Sequence, residues 1–430
     1  MNLADKINNL SSEINSIIKK AGNLADELGV STYLVGGFVR DMLLARKNLD
    51  VDIVIEGDGI LFAEKFALVL DAHILRHKRF GTAVLTLPNK IKIDIATARS
   101  ENYAAPAALP VVKPGAVYDD LFRRDFSINA MAVSINKHNF AKLLDYFNGL
   151  KDLNEKKIRI LHKLSFMDDP TRLLRAVRFT ERYGFSLEKL TRRLFNEAKK
   201  LNMLHRVTKH RVRDEFILML KEARVLTMLK RLNKLYGLTF IHKNVKLDKN
   251  ADSFLKDLDR LIKSFHRRFP AKRVLDTWVI LFTAILDGLS LEEVRKICYD
   301  FALRRGDTKR IVSYHQEYKA ILKELLQKKA LSASSIYRIL EPLSFEAIVL
   351  LMAKTSKPDI IKRINEFLEA HNGIKLAVTG EDLKKIGFVP GPHFKEILTS
   401  TLHAKIDKVI KNKKDEIKFI KEHGSRHMRG

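Results

Sequence analysis

Apolar positions along the chain change their rhythm near residue 160. Upstream, short runs such as STYLVGG, VDIVIEG, TAVLTLP and IKIDIATA carry β-rich patterns and are separated by helical spacing, which predicts an N-terminal α/β unit. Downstream, apolar residues recur every three or four positions between short polar turns, which predicts helices throughout. Breaks in the helical part are expected near HKNVKLDKN, FALRRGDTKR and AHNGIKLAVTG. The first twenty residues space Leu3, Ile7, Leu10, Ile14 and Ile17 as an amphipathic helix with charges interleaved, the wrong pattern for a signal peptide.

Two acidic positions disturb the β-rich part. In LDVDIVIEGDG, alternation turns Val51, Ile53 and Ile55 toward a core and Asp50 and Asp52 toward the other face. KIKIDIATA repeats the arrangement, with Ile91, Ile93 and Ile95 opposed to Asp94. If the two strands are neighbours, three carboxylates converge. Hard oxygen donors so placed suit Mg²⁺, which keeps waters and binds substrate phosphates, and a pair of such ions can clamp an in-line nucleotidyl displacement. Asp50 and Asp52 are the expected metal ligands and Asp94 the third catalytic carboxylate; the bland alternative is a solvated acidic face. Just upstream, YLVGGFVRDMLL sets Gly36 and Gly37 where a strand turns into a helix, so that backbone N–H groups can approach a triphosphate, with Arg40 in the first turn.

Two further segments concentrate charge. In RRDFSIN, Arg123 and Arg124 can meet phosphate while Asp125 and Asn129 can bond a ribose 2′-hydroxyl; alternatively Asp125 only caps a helix beginning near Ser127. In DDPTRLLRAVRF, Asp169 suits an N-cap, Pro170 the first helical position, and Leu173, Leu174 and Val177 the core. That leaves Arg172, Arg175, Arg178 and Arg182 climbing and rotating around one helix. Arg175 and Arg178 fit triphosphate binding or packing better than base recognition.

Composition narrows the partners. A net charge of +28 and a pI near 9.9 point to a polyanion, and the dense stretches HRVTKHRVR, HRRFPAKR and KIDKVIKNKK spread the charge over a long surface suited to RNA or DNA. The longest apolar run, WVILFTAIL (278–286), is too short to span a bilayer. A single cysteine, Cys298, excludes an intrachain disulfide and fits a reducing cytoplasm. The terminal HGSRHMRG reads as a cloning remnant or frayed tail.

Taken in order, GGFVRD (36–41), DVD (50–52), RRDFSIN (123–129), GLKDLNEKKIRIL (149–161) and DDPTRLLRAVRF (168–179) resemble the motifs of the class II tRNA nucleotidyltransferase and bacterial poly(A) polymerase superfamily. TGEDLKKIGFVPGPHFKEIL (379–398) is similar to the C-terminal region of many members, whereas Asp168 stands where the family often has Glu. The resemblance implies an α+β nucleotidyltransferase head (a small mixed sheet with helices, residues 1–153). All-α neck (154–225), body (226–325) and tail (326–422) regions would follow, with 423–430 outside the fold. It implies template-independent addition of CMP and AMP from CTP and ATP to the tRNA 3′ end, with Mg²⁺ as cofactor. It assigns RRDFSIN to ribose reading and Asp169 with Arg172 to nucleotide selection. RHKRFGTA (76–83) is more similar to enzymes of the A-adding branch. A poly(A) polymerase, or an RNA-binding protein on an inactive head, are the competing readings.

Overall fold

The computed structural model describes residues 1–46, 50–326 and 331–423. All but the first residue of HGSRHMRG therefore lies outside the described residues. Chain contacts divide the protein into two compact units, Met1–Tyr236 and Gly237–Gly430.

Among the described residues nine strands organise the head of the first unit: β1 (Ser31–Val35), β2 (Val51–Glu56), β3 (His73–His77), β4 (Thr82–Thr86), β5 (Lys92–Thr97), β6 (Arg99–Asn102), β7 (Val111–Pro114), β8 (Ala132–Ser134) and β9 (Leu143–Leu144). Seven form one mixed sheet in the order β3-β4-β5-β2-β1-β8-β9, and β6 and β7 pair as a separate hairpin. Within the large sheet only β2 and β5 run parallel; the other pairs are antiparallel. The period-two alternation sets the layers. Val51, Ile53, Ile55, Ile93 and Ile95 enter the main core beside Phe38, Phe62 and Phe66, which come from helices Gly36–Leu43 and Gly59–Leu70. The opposite face carries Asp52 and Asp94 and a smaller core in which Tyr33, Val35 and Val54 meet Val117 and Leu121.

The N-terminal amphipathic pattern folds as two helices, Ala4–Asn8 and Ser12–Glu27, instead of one. Ser11 explains the break: its hydroxyl accepts the Ile14 amide and caps the second helix. Leu3, Ile7, Ile14 and Ile17 are at most 3% exposed, as expected, whereas Leu10 falls between the two helices and is half-buried.

Beyond the head, helix Thr171–Tyr183 buries Leu173, Leu174 and Val177, as their spacing requires. A two-residue parallel ladder, Lys157–Ile158 with Ser186–Leu187, is a small β element in this otherwise helical region. In the second unit every regular element among the described residues is a helix, and the helices restart at Lys249, Arg305 and Gly380, beside the three expected breaks. Among the described residues no helix is long and apolar enough to cross a membrane. Cys298 is buried.

Candidate active site

The parallel pairing of β2 with β5 puts Asp52 directly opposite Asp94. Burial pushes the Asp52 carboxyl up to about 6; Arg124 pulls against this, and Asp94 and Asp50 add to it. Asp94 is raised by burial and then by Asp50, against the opposing pull of Lys92. Asp50 is exposed and immediately precedes β2. Among the described residues no three carboxylate, histidine or cysteine side chains close into one metal cage. Asp52 and Asp94 are thus adjacent on the sheet, and Asp50 at the strand entrance acts on both. Hard oxygen donors that repel one another are the chemistry a divalent cation relieves, so this set fits one.

The raised Asp52 gives a stability signature. An acid whose folded pKa exceeds its unfolded value stabilises the fold most below pH 4 and loses that contribution as pH rises through 6. In divalent-free buffer, Asp52→Asn should therefore be more stable than the parent by about 1–2 kcal/mol at pH 7–8, after discounting for solvent at its partly exposed edge. The gap should close toward pH 4. Urea midpoints measured across this range test it, and a parent at least as stable as the variant at pH 8 refutes it.

The glycine turn wraps onto the same carboxylate. Gly36 adopts φ +67°, and a Cβ there would lie 2.6 Å from Arg124 Nη1 and 3.4 Å from Asp52 Oδ2. Only glycine combines that backbone with so close an approach. A backbone hydrogen bond from Phe38, in the first turn of the helix that begins at Gly36, also reaches Asp52. Arg40 is buried: its Nε and Nη2 bind Asp41 at 2.9 Å each, its Nη1 donates to Asn129, and its guanidinium lies 4.7 Å from the Tyr183 ring centre.

Next to this turn opens a cavity of about 590 Å³. Of the residues proposed from sequence, Gly37, Arg40, Asp52, Arg123, Arg124, Asp125, Asn129, Asp169, Arg172, Arg175 and Arg178 line it, whereas Gly36, Asp50 and Asp94 do not. Eight arginines and four carboxylates in the lining make it cationic, a fit for a triphosphate.

RRDFSIN forms a single 3₁₀ turn, Ser127–Asn129, with Phe126 at its N-cap, so the alternative in which Asp125 only caps a helix does not hold. Asp125 accepts the Phe126 amide and the Asn129 side-chain amide, each at 2.8 Å, on one oxygen and Arg175 Nε at 2.7 Å on the other. Burial opposes ionisation, yet Arg175 and Asn129 hold this carboxyl down at about 2. Arg175 also binds Glu215 at 2.8 Å, and Arg178 meets the other oxygen of Glu215 at 3.1 Å. Both arginines are thus engaged in packing ion pairs at the cavity wall.

Asp169 does cap helix Thr171–Tyr183: its Oδ1 accepts from the Thr171 amide at 3.1 Å and the Thr171 hydroxyl at 2.6 Å. The same oxygen accepts from Arg211 at 2.9 Å. Arg172, 4% exposed, donates to the Ser165 hydroxyl and to the Arg123 carbonyl, each at 2.6 Å. Sequence reasoning missed Glu101, Tyr103 and Arg211, which also line the cavity. Tyr103 donates to Glu101 at 3.0 Å, and burial followed by the Glu101 charge holds its hydroxyl protonated far above the usual range. The sole signal for Arg211 was its place in the basic stretch HRVTKHRVR.

Residues 32–159 match the family described as Poly A polymerase head domain, and residues 271–420 match tRNA nucleotidyltransferase domain 2, putative. An A-adding tRNA nucleotidyltransferase of Geobacter sulfurreducens is 35% identical over 408 residues; the match covers 94% of this chain but 46% of that protein. The chain therefore spans about half the length of that relative. An A-adding tRNA nucleotidyltransferase of Halalkalibacterium halodurans is 33% identical over 98% of this chain and 95% of its own length. Among solved structures, a Thermotoga maritima CCA-adding enzyme complexed with tRNA superposes with a TM-score of 0.70 at 30% identity, covering 98% of each chain. With the glycine turn, carboxylate strand and arginine pair inside the matched head, and with a relative matched nearly end to end, the chain belongs to the tRNA nucleotidyltransferase family.

Proposed function

We propose that the chain transfers CMP or AMP from CTP or ATP to the 3′ end of tRNA, without a nucleic-acid template and with release of pyrophosphate, in the cytoplasm. The observation that carries this reading is one cavity holding Asp52 of the carboxylate strand, the arginine pair and the Asp169/Arg172 pair. Asp50 and Asp52 would hold Mg²⁺, which when bound supplies neutralising charge for nucleotidyl transfer. The chain's own residues do the rest. Arg123 and Arg124 receive the triphosphate, Asp125 and Asn129 offer polar groups to the ribose, and Asp169 with Arg172 present a fixed edge to the base. The net charge of +28 supports a tRNA-sized polyanion as the other substrate. The A-adding names of the two relatives favour terminal AMP addition as the reaction to test first.

Purified chain should be given tRNAs ending before positions 74, 75 and 76 of the acceptor end, with CTP, ATP or both. Extension of the CC-ended tRNA by a single AMP is the expected result. Repeated AMP addition to unstructured RNA would replace this reading with a poly(A) polymerase, and no incorporation on any primer would leave an RNA-binding protein.

A further inference from the structure

Asp120 is fully buried in the helix Val117–Phe122, just before the arginine pair, and is not among the residues lining the nucleotide cavity. Its two oxygens are divided between two guanidinium groups. Oδ1 accepts from Arg123 Nε at 3.0 Å and Nη2 at 2.6 Å, and Oδ2 accepts from Arg124 Nη2 at 2.8 Å and Nε at 3.3 Å. Gripping the Nε side of each arginine fixes the plane of the fork and turns the remaining nitrogens outward. Arg123 Nη1 then reaches Glu101 at 3.2 Å, and Arg124 Nη1 stands beside Gly36, at the edge of Asp52.

A free arginine at that place has another partner. Arg124 already acts electrostatically on Asp52, and the Asp52 carboxylate is close enough for both to crowd the same point near Gly36. An arginine side chain carries about 2 kcal/mol of rotamer entropy, so a group that orients it in advance spares the ligand that cost. A carboxylate shared by two arginines and shielded from water does this for both at once.

We propose that Asp120 is a positioning residue for nucleotide binding: it holds Arg123 and Arg124 as preset phosphate donors and keeps Arg124 from folding onto Asp52. This rests on the nucleotidyltransferase reading above.

Asp120→Asn keeps the shape but turns one acceptor into a donor facing a guanidinium, which releases that arginine. Measured on the full chain without primer, the Kd for ATP should rise about tenfold or more. In steady state the KM for ATP should rise in parallel while kcat stays within about threefold, because the lost contact serves ground state and transition state alike. A purely structural role predicts the opposite split, a lower melting temperature and kcat with Kd and KM unchanged, and that result overturns the proposal. The same change made in an Arg124→Gln background, where the new amide faces a neutral partner, should add less than about threefold to Kd; full additivity also overturns it. That pair keeps the comparison available if Asp120→Asn alone folds poorly. A parent chain that binds no ATP would overturn the function itself, whereas equal binding by parent and variant overturns the positioning role alone.

Discussion

Asp52→Ala is expected to reduce nucleotide incorporation by at least about 10³-fold while leaving tRNA affinity within about twofold. The expectation follows from where the side chain stands. Asp52 is the one carboxylate of the acidic strand that both faces Asp94 across the parallel pairing and opens into the cavity with the arginine pair. Its burial and neighbours make its charge costly in the resting protein, which is sensible only if the charge is used when substrate and cation arrive. The tRNA surface has no comparable dependence on one residue, since many phosphate contacts share the affinity. Asp94→Ala should also be severe, as it removes the register partner. Asp50→Ala should be severe as well, because Asp50 is the other proposed Mg²⁺ ligand and acts on both strand carboxylates. Single-turnover AMP addition at saturating ATP and Mg²⁺, alongside tRNA binding, separates the two effects. An Asp52 variant that keeps most of its incorporation rate would remove the carboxylate strand from the chemistry.

How far the residues alone reached follows from the range of the forces involved. β2 and β5 were legible because a half-buried strand writes its two faces into every second residue, and Ile93 and Ile95 cannot be moved without exposing them. The helix Thr171–Tyr183 was legible for the same reason at a period of 3.6. What pairs with what across the cavity was not. Glu101 and Tyr103 sit in SENYAAP, a segment with no periodicity, at and just after β6, and both line the cavity. Asp120 looks like a surface acid in VYDDLF, yet the two arginines that follow it draw it fully inside. Arg211 lies 42 residues from the carboxylate it binds, a separation that no local pattern encodes. Asp125 and Asn129 bond each other and distant arginines in place of starting a helix near Ser127, a tertiary demand that overrides local preference.

Those unforeseen partners sharpen the second large effect, on base choice. Asp169 spends one oxygen, Oδ1, on the helix cap and on Arg211, which fixes the carboxylate plane and leaves Oδ2 for a ligand. Arg172 is likewise anchored through Ser165 and the Arg123 carbonyl. An acceptor beside a donor matches adenine, with its amino group and N1, and cytosine, with its amino group and N3. Guanine and uracil present a carbonyl to the carboxylate and an N–H to the guanidinium, leaving buried charges unpaired, a repulsive form of discrimination. Asp169→Asn tests this more cleanly than alanine. The retained Oδ1 can still cap Thr171 and meet Arg211, while an amide donor replaces Oδ2. The variant should lose about 10–100-fold in ATP-over-GTP preference, as kcat/KM on a CC-ended tRNA. Guanine should gain only part of this, because its N1–H still opposes Arg172. CTP over UTP should narrow in the same direction wherever CTP is used. Melting temperature should change little, since the cap survives. An Asp169→Asn enzyme with the parent's ATP/GTP ratio would reduce Asp169 to a helix cap held by Arg211 and place base selection elsewhere in the cavity.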